Sequence, residues 1–167
     1  ADALGHLTQT VTNWAKHDGH GHKHADEGAV QLWSDDVDWI TSTGYWPYGA
    51  DGINEAYGWR SSNAQHRIDE ASSEQRTNDL LGYIDTTEFR ALDLQRRVAG
   101  GATYRRQILQ INASTLLVLD FAIDSNPGSE TVWTVSPQLS LDSDQRSGLY
   151  VASAPDTELK MWISFDT

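Results

Sequence analysis

The chain has 167 residues and 38% hydrophobic content, enough for one domain with a real core. Its 24 acidic residues outweigh 12 basic ones, giving a formal net charge of −12. A nucleic acid or an anionic membrane surface is therefore excluded as the main partner, because phosphate binding needs clustered cations. The longest apolar run, Leu116-Leu117-Val118-Leu119, is far too short to cross a bilayer. Seven Trp, six Tyr and three Phe argue against disorder. The absence of cysteine removes disulfides, thiolate zinc sites and cysteine nucleophiles together.

Along the chain, histidine is the most unevenly placed residue. His6, His17, His20, His22 and His24 fall in the first 24 positions, and His66 is the sixth. The segment Ala29-Val30-Gln31-Leu32-Trp33 reads as a strand, Ser34-Asp35-Asp36 as an acidic turn, and Trp39-Ile40-Thr41 as the next strand. An aromatic, Gly-bearing loop follows over 44–59, holding Tyr45, Trp46, Pro47, Tyr48 and Tyr57; a polar, helix-compatible or irregular stretch covers 69–78. Short apolar or β-branched runs then recur at 80–84, 89–94, 103–111, 115–122, 131–135, 149–152 and 159–165, punctuated by Gly, Asn, Ser and Pro. Residues 108–111 and 116–121 form a hairpin across the three-residue turn Asn112-Ala113-Ser114. No 3.6-residue apolar period persists, so the expectation is an all-β, antiparallel β-sandwich over 1–167.

Three constellations could hold chemistry. On a strand, His22 and His24 of His22-Lys23-His24 face the same side, and a third donor such as His66 could complete a metal site; a solvated N-terminal segment is the plainer alternative. Tyr45, Trp46 and Tyr48 suit the C–H faces of sugar rings, or else pack over the end of the sandwich. Arg96-Arg97 and Arg105-Arg106 each offer one arginine per sheet face, for an anionic substrate or, more simply, for internal Asp and Glu partners. Asp35, Asp36 and Asp38 read as a solvated turn. No phosphate loop, G-x-S-x-G elbow or nucleotide fingerprint is present.

The motifs Gly21-His22-Lys23-His24-Ala25-Asp26, Trp39-Ile40-Thr41-Ser42-Thr43-Gly44-Tyr45 and Trp59-Arg60-Ser61-Ser62-Asn63-Ala64-Gln65-His66 resemble the C-terminal β-sandwich domain of the heparinase II/III-like polysaccharide lyases. Tyr104-Arg105-Arg106-Gln107 with Leu117-Val118-Leu119-Asp120 is similar to that family's later hairpin. The resemblance implies an exported or periplasmic enzyme that cleaves an acidic, uronate-containing polysaccharide, a glycosaminoglycan or alginate, by β-elimination. It implies His22 as an active-site residue, Tyr45, Trp46, Tyr48 and Arg60 as substrate contacts, and a structural zinc on His24, His66 and a turn aspartate.

Two departures stand out. The turn position carries Ser42, which weakens the expected zinc site. The family's N-terminal helical toroid, source of its catalytic Tyr, has no counterpart here, so the implied unit is one part of a longer lyase that is inactive alone. A non-catalytic carbohydrate-binding or structural sandwich is the main alternative, and a cupin-like metal enzyme using His22, His24 and His66 a more distant one. The positive potential needed near a polyanion would come from Lys16, Lys23, Arg60, Arg67 and the histidines.

Overall fold

In the computed structural model, residues 5, 7–14, 23–124, 128–144 and 148–165 are described. The described chain is nearly all β, with 48% strand and 6% helix. The first sheet contains β1 (Thr8–Thr12), β2 (Val30–Ser34) and β3 (Val37–Ile40), antiparallel in that order. Ser34 pairs with Val37, so Asp35 and Asp36 form a two-residue turn, and both have positive φ (51° and 64°). That is the primed turn whose twist suits a hairpin, and short polar side chains tolerate it best. The expected acidic turn is therefore a structural one.

The second sheet is a four-stranded meander: β5 (Arg76–Asp85), β6 (Phe89–Val98), β7 (Thr103–Ile111) and β8 (Thr115–Ala122). Its last hairpin has Ile111 opposite Thr115, leaving Asn112, Ala113 and Ser114 as the turn read from sequence. Asn112 takes a φ of 58° there. A third sheet joins β10 (Ser140–Asp144), β11 (Leu149–Ser153) and β12 (Lys160–Ser164). Two short strands, β4 (His66–Arg67) and β9 (Ser129–Glu130), pair separately.

The layers meet through alternation. Val30 of β2 packs with Leu94 of β6 and Ile108 of β7, flanked by Leu92, Leu116, Val118 and Trp133. Thr8 and Thr10, on the same inward face, donate to Ala113 O and Gln110 Oε1 at the far edge. Further along the same face of the first sheet, Leu32 and Ile40 pack with Trp39, Ala152, Ala154, Leu139 and Met161. The antiparallel sandwich is thus formed by apolar residues at every second position.

Charge is buried as well. Arg96 and Arg106 point inward while Arg97 and Arg105 point out, as strand alternation requires. Arg96 pairs with fully buried Glu70, and Arg106 forks onto both oxygens of Asp120 at 2.6 and 2.7 Å. Arg97 meets Asp79 and Arg105 meets Asp93 on the outer face. The arginine pairs therefore serve internal partners.

Several local expectations are corrected. The run 131–135 is not a strand: Thr131 Oγ1 donates to Asp120, Asn63 Oδ1 accepts from Thr134 N–H at 2.5 Å, and Val135 makes only an isolated bridge to Ile40. Those bonds hold the segment to other elements instead of a ladder. The loop 44–59 contains a short helix, α1 (Ile53–Tyr57), and leads into a 3-10 turn, Trp59–Ser61. Residues 76–78 belong to β5, with Arg76 and Asn78 facing inward among buried polar groups that hydrophobic patterning misses. Strands β1 and β10 escape the sequence reading because they are mostly polar.

Candidate functional site

Helix α1 and the 3-10 turn place a connected aromatic surface beside the N-terminal segment. Gly52, at a φ of 86°, lets the chain enter α1 with its Cα face against the Trp46 ring. Trp46 Nε1 donates to Asp51 O at 2.9 Å, so Trp46 is a half-buried anchor of the loop. Tyr45 and Tyr48, 71% and 63% exposed, stand edge to face at 6.3 Å. The Tyr48 phenol is held above its ordinary range by desolvation and by Tyr57, with which it shares a hydrogen bond. Tyr57 in turn stacks on the His24 ring at 4.1 Å. Ala25 N–H donates to Tyr57 O, locking the His24 segment to the end of α1. Tyr45, Tyr48, Tyr57 and His24 thus form one ridge.

Behind His24 lies a cavity of about 70 Å³ lined by His24, Asp26, Ser42, Ser61 and Ser62. His24 and the Ser42 turn thus line one cavity. Ser42 Oγ accepts from Gln31 Nε2 at 3.2 Å, and Asp26 is ion-paired with Lys23.

His66 sits on β4, 3% exposed, with its ring stacked on Trp59 at 5.6 Å. Its Nδ1 donates to Ala64 O at 3.1 Å and its Nε2 faces Glu130 Oε1 at 3.2 Å. Ala64 and Glu130 thus hold the ring from both nitrogens, between β4 and β9. Arg60 Nε approaches the same Glu130 oxygen at 3.5 Å, while its side chain remains 74% exposed. Arg60 and His66 are therefore brought together, by a glutamate 64 residues further along.

Below this surface, Trp59 is the hub. The Arg76 and Arg96 guanidinium groups lie 4.6 and 4.4 Å from its ring centroid. Arg76 pairs with Glu27 at 2.6 Å, both side chains fully buried. Arg96 also donates to Gln65 O at 2.9 Å, fixing the backbone beside His66. The 3-10 turn is pinned by Ser61 and Ser62, whose hydroxyls donate to Ala56 O and Ala25 O. The Arg-Ser-Ser-Asn stretch is thus a backbone clamp, with only Arg60 reaching solvent.

Among the described residues, no three His, Asp or Glu side chains come within reach of one metal ion. His66 and Glu130 supply two donors with Arg60 against them, and His24 lies on Tyr57. That falls short of the three or four ligands zinc takes. His22 and Lys16 lie outside the described residues. The local excess of positive charge expected here is largely neutralised: Lys23 pairs with Asp26 and Glu27, and Arg67 with Asp69 and Glu74. Glu130 was not named from the sequence, and Tyr57 was named there only as part of the aromatic loop, without a role. Tyr57 lies in the aromatic loop and periodicity from α1 could have found it; Glu130 gives no local signal.

The family model of the heparinase II/III-like C-terminal domain matches residues 1–165. No curated protein matches the chain. In structure it is similar to heparan sulfate lyase HepC from Pedobacter heparinus, with a TM-score of 0.74 and 17% identity over 89% of this chain. A mutant of HepC gives a TM-score of 0.76 at the same identity and coverage. The chain spans about a quarter of HepC, 24% of its length.

Proposed function

The chain belongs to the heparinase II/III-like C-terminal family, and on that premise we propose that it forms the β-sandwich part of a polysaccharide lyase acting on a uronate-containing polymer. In β-elimination a base removes the C5 proton beside the uronate carboxylate. The C4–O4 bond then breaks, a C4=C5 double bond forms, and the departing O4 takes a proton. His22 is the proton-transfer or charge-stabilising residue from this chain. Tyr45 and Tyr48 offer ring faces to the sugars, and Arg60, exposed beside Glu130, offers its guanidinium to the carboxylate. Trp46 acts by holding the loop. The remaining catalytic groups, including a Tyr, come from a helical domain of the same protein, and the working compartment is the periplasm or the exterior.

The observation that carries this reading is the continuous ridge from Tyr45 to His24, which ends at the histidine segment. The test is binding of uronate oligosaccharides to the 167-residue chain, followed by titration calorimetry. Tyr45→Ala with Tyr48→Ala weakens binding about tenfold or more, and the chain alone yields no unsaturated product by ultraviolet absorbance. Unchanged binding in the double variant, or elimination by the chain alone, overturns the reading. Ser42, a neutral hydroxyl in the cavity beside His24, favours a second reading, a non-catalytic carbohydrate-binding sandwich. His22→Ala in a complete lyase separates the two, since only the first loses elimination.

A further inference from the structure

The outer face of the first sheet carries a groove that the site above does not use. Strand alternation turns Thr8, Thr10 and Thr12 inward and leaves Gln9 and Val11 outward. The register sets Gln9 opposite Trp33, Val11 opposite Gln31, and Trp33 opposite Asp38. Between Leu32↔Ile40 and Trp33↔Asp38 the ladder skips one residue, Trp39, which turns into the core and donates its Nε1 to Ser34 O at 3.3 Å. Such a bulge bends and twists the sheet locally. The face becomes concave there, and a cavity of about 270 Å³ opens over Gln9, Val11, Gln31, Trp33, Asp38 and Thr41. Its size approaches that of ordinary small-ligand pockets, roughly 300–1,000 Å³.

Val11 and Gln31 also line the cavity at His24, so the two spaces adjoin. The Gln31–Ser42 hydrogen bond marks the junction. A half-buried indole flanked by two carboxamides, a hydroxyl and a carboxylate is the chemistry that recognises a polyhydroxylated ring: the aromatic face takes C–H groups, and the amides and carboxylate take hydroxyls. Among the described residues no Lys, Arg or His lines this cavity, and Asp38 is exposed within it. A sulfated or carboxylated ring would meet a fixed negative charge without a compensating cation.

We propose that this groove is a saccharide subsite for an uncharged pyranose unit, continuous with the His24 cavity, so that a polymer with neutral and acidic units lies along β1 and β2. The proposal rests on the polysaccharide reading above and specifies where the neutral unit binds.

The test uses the ¹⁵N-labelled 167-residue chain, with the Trp33 indole N–H assigned by its loss in Trp33→Phe. A neutral N-acetylhexosamine trisaccharide is the first probe and a uronate oligosaccharide of similar length the second. The expected result is a titratable shift of the Trp33 indole and Gln31 amide with the neutral probe only, weakened about tenfold in Trp33→Ala. Gln31→Ala, a change on the solvent face, gives the same weakening should Trp33→Ala fail to fold. No Trp33 shift with the neutral probe overturns the subsite, as does an equal Trp33 shift with the uronate probe. A Trp33 shift without any uronate effect at Tyr45 and Tyr48 supports the subsite and counts against the lyase reading alone.

Discussion

Glu70→Ala tests the charged core most directly. Glu70 is fully buried at its side chain and Arg96 is 4% exposed. Arg96 spends its other donors on Gln65 O and lies between the Trp59 and Tyr104 rings, at 4.4 and 4.7 Å. Removing the carboxylate leaves a guanidinium in the core with two ring faces and one carbonyl, which are poor substitutes for an anion. Breaking a buried pair on one side costs about 3–5 kcal/mol. For a domain of this size each kcal/mol moves Tm by about 2–4 °C, so Glu70→Ala lowers Tm by roughly 6–20 °C. Urea denaturation followed by tryptophan fluorescence measures the same loss as a shift in midpoint with an unchanged slope. Replacing both partners, Glu70→Leu with Arg96→Met, recovers most of the stability because no charge is then stranded. A loss below about 1 kcal/mol in the single variant would refute the reasoning, since water would then be reaching Arg96. The same variant should loosen His66, because Arg96 holds the carbonyl of its neighbour Gln65.

On the outer face, Asp93 is held below the usual carboxylate range by its hydrogen bond from Arg105. Its stabilisation is therefore full above the ordinary aspartate range and is lost as pH falls through its lowered value. Asp93→Asn should narrow the Tm gap to the parent protein as pH drops below about 4, with the gap constant from neutral pH down to about 5; a gap that stays constant to the lowest pH would contradict the pairing. For metal, mass spectrometry after dialysis should find less than one zinc per chain, because His66 and Glu130 supply two donors beside Arg60. One zinc per chain, lost in both His24→Ala and His66→Ala, would show that the two histidines share an ion.

Sequence alone determined the β architecture where alternation and turn residues agree. The hairpin at 112–114, the acidic turn at 35–36 and the opposite facing of Arg96 and Arg97 all follow from a two-residue period, which needs no tertiary information. Motif order also pointed to the family, because short ordered patterns survive where overall identity does not. The tertiary structure decided what those patterns cannot encode. Polar strands such as β1 carry no hydrophobic signal, so only pairing with Val30–Ser34 reveals them. The segment 131–135 has strand-forming residues, but bonds from Asn63 and Asp120 took its polar groups first. Above all, His66 meets Glu130 across 64 residues and His24 meets Tyr57 rather than a second histidine. Side-chain partners at such separations are chosen by how sheets and loops pack, and the sequence lists candidates without stating who faces whom.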